Sequence, residues 1–182
     1  MKRFQILATV MSAIVLCLSI AASSSWAGPR GQEQAGKTTV ELPPAVAKAV
    51  KVNCPGAVID KLTVEKEAGI NLYDIEFKDG RGEIEVAEDG TVMDIATIIA
   101  MKDVPRPAAE AIQKAAAGAT IGQLERSEVR AEIREENGKG AIVRLAVPKY
   151  VYEAELVKGG AKGEVQVAPD GKVVEGPKWA GK

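Results

Sequence analysis

Residues 71–78 read NLYDIEFK, which places Tyr73, Ile75 and Phe77 on one side of an extended backbone and Asp74, Glu76 and Lys78 on the other. Alternation with a period of two predicts a strand with one buried and one wet face. Residues 151–158 (VYEAELVK) repeat it, with Tyr152, Ala154 and Leu156 inward and Glu153 and Glu155 outward. A longer echo links GEIEVAEDGTV at 82–92 with GEVQVAPDGKV at 163–173. In it Ile84 and Val86, matched by Val165 and Val167, point inward, while Glu83 and Glu85, matched by Glu164 and Gln166, point outward. Asp89-Gly90 and Asp170-Gly171 supply hairpin turns because glycine accepts positive φ. Val92 and Val173 open the strand that follows each turn.

The pattern changes to a helical period in two places. Residues 42–59 and 104–121 align at a constant offset of 62, which places Pro43, Ala47, Ala49, Gly56 and Ala57 on Pro105, Ala109, Ala111, Gly118 and Ala119. Proline belongs in the first turn of a helix, and Gly56 and Gly118 are natural stops. Ala108, Ala111, Ile112 and Ala115 form an apolar stripe opposite Glu110, Gln113 and Lys114, and Val46, Ala49, Val50 and Asn53 form a less regular one. The expected fold is α+β: two tandem repeats, each one helix packed on a four-stranded antiparallel meander. The segment ATIIAMKDVP at 96–105 serves as strand and connector between them.

The copies differ by one insertion. Ile59 to Tyr73 spans 14 positions and Ile121 to Tyr152 spans 31, a gain of 17 residues. The added sequence alternates on both sides of ENGKG, where Asn137-Gly138 is a strong hairpin turn. The second repeat is therefore expected to carry an elongated hairpin over 124–157, with a bulge at Pro148. An arm of that length either binds a partner or covers the joint between the repeats.

Composition narrows the chemistry. Lys2 and Arg3, an apolar run over 6–22 and the small residues Ser25 and Ala27 make a secretory signal peptide with cleavage after Ala27. The 155 residues that remain carry 22 Lys and Arg against 25 Asp and Glu, a net charge of −3. They contain no further stretch fit to span a bilayer. The expected organisation is a signal peptide at 1–27, a flexible leader at 28–41, a first repeat at 42–100, a second at 101–176 and a tail at 177–182 that contains Trp179. The expected location is periplasmic or secreted.

The chain has no histidine, which removes the usual general base and metal ligand. Cys54 is the single cysteine after residue 27, so no internal disulfide forms. It reads as a half-buried structural thiol or as the link of an intermolecular dimer. Ser127 lies in an alternating charged stretch without a glycine elbow. Five aromatics beyond the signal and a negative net charge argue against a nucleic-acid groove. No enzyme, cofactor or metal site is expected. The turn AEDGTVMD offers Glu88, Asp89 and Asp94 but lacks the alternating oxygen ligands of a calcium loop.

The segments LPPAVAKAV, NLYDIEF, GEIEVAEDGTVMDI and VPRPAAEAIQKA together resemble a tandem of PepSY-like domains, the branch similar to the β-lactamase inhibitory protein, over about residues 42–175. The resemblance implies an exported, non-catalytic module that binds or inhibits an envelope or secreted protein such as a peptidase. The candidate binding face is the outward row Asp74, Glu76, Glu83, Glu85, Glu153, Glu155 and Glu164, suited to a basic or polar partner. The alternative is a periplasmic cation-binding or structural protein with no inhibitory role.

Overall fold

A computed structural model describes residues 41–136 and 138–179. The signal peptide with its cleavage point, the leader before Glu41 and Asn137 of the expected turn lie outside the described residues. The order is α1 (Pro44–Asn53), β1 (Ile59–Glu67), β2 (Ile70–Phe77), β3 (Glu83–Ala87), β4 (Val92–Ile98), α2 (Arg106–Ala115), β5 (Thr120–Glu136), β6 (Lys139–Lys158), β7 (Ala161–Val167) and β8 (Val173–Trp179).

All eight strands form one antiparallel sheet in the order β1 to β8. This corrects the expected α+β pair of repeats. Among the described residues the fold is mainly β, a single continuous sheet with two ten-residue helices, rather than two helix-on-meander units. The join is β4 with β5, paired from Asp94↔Val129 to Ile98↔Glu125. A meander ending at β4 would leave a row of unpaired backbone donors and acceptors on its edge. β5 is long enough to satisfy that row, and it joins what the local pattern presents as separate pieces.

Cross-strand partners share a face of a sheet. Ile95 pairs with Glu128, and on the same strand Arg126 pairs with Tyr152, so both helices lie on one side. Under α1, Val46, Ala49 and Val50 meet Ile75, Phe77, Ile84 and Val86. Under α2, Ala108, Ile112 and Ala116 meet Leu124, Tyr152, Ala154, Leu156, Val165 and Val167, and Trp179 at the end of β8 packs against this cluster. Full burial of each large aliphatic side chain stabilises by about 1.5–3 kcal/mol. The two Asp-Gly turns reach the first turns of the helices. A Cβ on Gly90 would lie 2.9 Å from the Ala45 carbonyl oxygen, and one on Gly171 would lie 2.7 Å from that of Pro107. Asp89 Oδ1 and Asp170 Oδ1 accept the amides of Thr91 and Lys172 and close the turns.

The long β5–β6 hairpin does not project into solvent. Val129 pairs with Lys149 and Ala131 with Arg144, so Arg130 stands opposite residues 145–148, a wide bulge that contains Pro148. Proline has no N–H to give a ladder, which makes a bulge its natural place. Beyond the bulge the hairpin folds back over the side of the sheet opposite α1 and α2. There Ala131, Ile133 and Ile142 pack on Leu72, Ala87, Met93 and Ile70. The Gly140 amide donates to the Ala68 carbonyl at 2.9 Å, and Arg144 Nη2 donates to Thr91 Oγ1 at 3.0 Å. Arg130 Nη1 reaches Asn53 Oδ1, 2.7 Å away at the end of α1. The hairpin is thus a strap between the early and late strands.

Candidate protein-binding face

The carboxylates follow from the pleat. Side chains alternate along a strand, so burial of Ile75, Ile84 and Val86 under α1 sends Asp74, Glu76, Glu83 and Glu85 to the other side. Register then sets them against one another. Glu76 stands opposite Glu83, and Glu85 stands between Asp74 and Asp94. Further along, Glu125 faces Glu153 and Glu155 faces Glu164. Like charges directly opposite each other in a sheet are destabilising.

The seven expected residues therefore share one face in two groups. Asp74, Glu76, Glu83 and Glu85 lie on β2 and β3, and Glu153, Glu155 and Glu164 lie on β6 and β7. Asp94 and Glu125, outside the expected set, bridge the groups from β4 and β5. Asp94 was hidden because the β3–β4 register slips between Glu85 and Val86, which breaks simple alternation. Glu125 was hidden because QLERSEVR is charged on both faces, and the register shift between Ile121 and Leu124 removes the phase reference. Between the groups the face carries the small residues Ala96 and Ser127, cross-strand partners.

Compensation is uneven. Lys61 Nζ lies 2.5 Å from Glu76 Oε1, and Lys162 Nζ lies 2.6 Å from Glu155 Oε1. Gln123 donates to Glu125 and Gln166 donates to Glu153, each at 2.9 Å. Among the described residues, Asp74, Glu83, Glu85 and Asp94 have no hydrogen bond or ion pair to their carboxylates. Burial, reinforced by the charges of Asp74, Glu125, Asp94 and Glu76, pushes Glu83 up to about 9. Burial with Asp94, Asp74, Glu67 and Glu65 nearby pushes Glu85 up to about 8. Burial with Asp74 and Glu125 nearby brings Asp94 to about 7, and burial with Glu76 and Glu65 nearby, partly offset by Lys61, brings Asp74 to about 6. Burial also raises Glu125, and burial together with contact with Glu164 raises Glu153. At neutral pH Glu83 and Glu85 therefore hold protons that they would lose in water.

Oxygens of Asp74, Glu76 and Glu83 lie within 4.8 Å of one another, a spacing at which three carboxylates can share a cation. The turn considered for calcium is divided. Asp89 caps its own turn, Glu88 accepts from Asn71 Nδ2 at 2.7 Å, and Asp94 belongs to the sheet face. Cys54 is half-buried at the end of α1, and burial raises its thiol, which leaves it a poor nucleophile. Ser127 is a strand residue opposite Ala96.

No protein-family model matches the chain, and no curated protein is significantly similar to it in sequence. Solved structures are similar in fold. One is a protein of Bacteroides eggerthii, provisionally described as periplasmic, at 12% identity and TM-score 0.52, covering 76% of this chain and 89% of that one. A BLIP-like protein of Bacteroides fragilis is 14% identical with TM-score 0.48, covering 79% and 92%. A DUF2874 family protein of Bacteroides ovatus is 10% identical with TM-score 0.49, covering 76% and 88%. No helix among the described residues is long and apolar enough to cross a membrane. At these identities the likeness concerns the fold, which this chain shares with the B. eggerthii protein.

Proposed function

We propose that the chain is an exported, non-catalytic protein-binding or inhibitory module of PepSY-like type, and that it acts on an envelope or secreted protein such as a peptidase. One observation carries the reading: on the sheet side opposite α1 and α2, the half-buried carboxylates of Asp74, Glu83, Glu85 and Asp94 take no hydrogen bond or ion pair among the described residues. Perturbed carboxyls gather at functional sites more often than on ordinary solvated faces. The periplasmic description of the B. eggerthii protein supports export, as does the signal-like start of the sequence. The absence of histidine and of a glycine-framed nucleophile supports binding over turnover.

The test is affinity capture from the cell envelope with the wild-type protein and the E83K/E85K variant, alongside peptidase and β-lactamase inhibition assays. A specific protein retained by the wild type and lost by the variant is the expected result. Equal capture by both removes the face as the site.

A cation-binding reading has the Asp74–Glu76–Glu83 oxygen spacing in its favour. It requires millimolar calcium to raise the melting temperature, and an unchanged melt disposes of it.

A further inference from the structure

We infer that β1 is a self-pairing edge, and that its occupant is the β1 strand of a second copy of this chain, joined antiparallel about a two-fold axis at Thr63. The contact lies on a different surface from the protein-binding face and stands without it.

The open sheet leaves two edges. β1 pairs with β2 and β8 pairs with β7, and among the described residues neither has a strand on its other flank. An edge strand presents a row of backbone N–H and C=O groups ready to take another strand. The two edges meet that hazard differently. β8 (VVEGPKW) holds Gly176 and Pro177, and a proline offers no N–H to a ladder. β1 (IDKLTVEKE) contains neither glycine nor proline over its nine residues, and its ladder with β2 is regular from Lys61 to Glu67.

The β1 sequence is complementary to its own reverse. An antiparallel pairing centred on Thr63 sets Thr63 against Thr63, Leu62 against Val64 and Lys61 against Glu65, the last two pairs each occurring twice by symmetry. Asp60 comes opposite Lys66 at the two ends, beside the register shift between Ile59 and Lys61. Apolar pairs and opposite charges directly across a ladder are favourable, and like charges are not. Moving the centre to Leu62 sets Asp60 against Val64 and Lys61 against Thr63. Moving it to Val64 keeps one Lys–Glu match, Lys61 with Glu67, and sets Lys66 against Leu62. The charges therefore select the Thr63 register.

The faces agree as well. A two-fold axis normal to the sheet keeps the helices of both copies on one side, and cross-strand partners share a face. Leu62 and Val64 stand beside Ile75 and Tyr73 on the α1 side, while Lys61, Thr63 and Glu65 stand beside Glu76, Asp74 and Leu72 on the reverse. Val64 is 48% exposed, and Leu62 packs at the margin of the core under α1. The same two residues of a second copy extend that margin across the edge. On the reverse side Lys61 Nζ holds Glu76 Oε1 at 2.5 Å. An ammonium has donors to spare, so Glu65 of the second copy is added rather than exchanged. Cys54 takes no part, and the contact needs no disulfide.

The test is analytical ultracentrifugation of the purified protein between about 10 and 500 µM, because a short edge contact belongs among weak interfaces. The wild type is expected to pass from monomer to dimer over that range, and C54S to do the same. E65K sets lysine against lysine twice in the chosen register and is expected to weaken the dimer roughly tenfold or more, with a melting temperature that shows it folded. V174E, on the β8 edge, is expected to dimerise like the wild type. The register is read with T63C in the C54S background. Opposed residues of an antiparallel ladder have Cα atoms about 4.5–5.5 Å apart, within reach of a disulfide. Mild oxidation should therefore link two copies through T63C and not through V174C in the same background. Should E65K fail to fold, this comparison decides by itself. A wild type that stays monomeric at the highest concentration, a folded E65K as dimeric as the wild type, or equal cross-linking at both positions overturns the inference.

Discussion

On β3, Ile84 and Val86 are fully buried beneath α1, while their sequence neighbours Glu83 and Glu85 stand half-exposed on the reverse of the same strand. The helix side behaves as a conventional core, in which apolar side chains from sheet and helices exclude water and each contributes stability. The reverse side is built against stability, with carboxyls paired to carboxyls and protons held where water would have removed them. Where the strap lies down, on Leu72, Ala87 and Met93, the reverse side becomes a core. One sheet thus carries a face that packs as a core and a face on which register sets carboxyl against carboxyl.

The largest effect that would sharpen this contrast comes from the helix side. Ile112→Ala or Ile84→Ala is expected to cost about 2–5 kcal/mol, measured by urea denaturation. A loss under 1 kcal/mol at either position would mean that the helix is loosely docked.

Next is the pH dependence set by the reverse side. Folded Glu83 and Glu85 keep their protons to about 9 and 8, while the free glutamate value is 4.5. Their contribution is fully present below about pH 4.5. As pH rises, the unfolded chain ionises first, and stability falls until the folded groups also ionise. The melting temperature should therefore decline from pH 5 to pH 9, and E83Q/E85Q should flatten much of that slope. A melting temperature that rises over this range would contradict the carboxyl environment described.

The strap comes third. A Cβ on Gly140 would lie 2.8 Å from both Cβ and the carbonyl oxygen of Ala68. Gly140→Val should cost about 1–2 kcal/mol and speed amide exchange in residues 131–142. Unchanged exchange would show that the strap is held by its apolar contacts alone.

The smallest effect separates the two carboxylate groups. Glu155→Gln, which removes the partner of half-exposed Lys162, should change stability by less than about 1 kcal/mol, unlike changes among the central carboxyls.

Alternation alone placed the inward residues Ile75, Ile84, Val86, Ala154, Leu156, Val165 and Val167, and the Asp-Gly steps placed the turns, because a period of two and a positive φ are local properties of the chain. The outward face of Asp74, Glu76, Glu83 and Glu85 followed from the same parity. Tertiary structure decided what local pattern does not encode: that β4 pairs with β5 to make one sheet, that the long hairpin turns back at the Pro148 bulge to strap the early strands, and that register slips bring Asp94 and Glu125 into the acidic band. Each depends on contacts between residues distant in sequence, where free strand edges and uncovered apolar side chains must find partners in space. The burial that raises the carboxyls above their ordinary range is a consequence of that assembly.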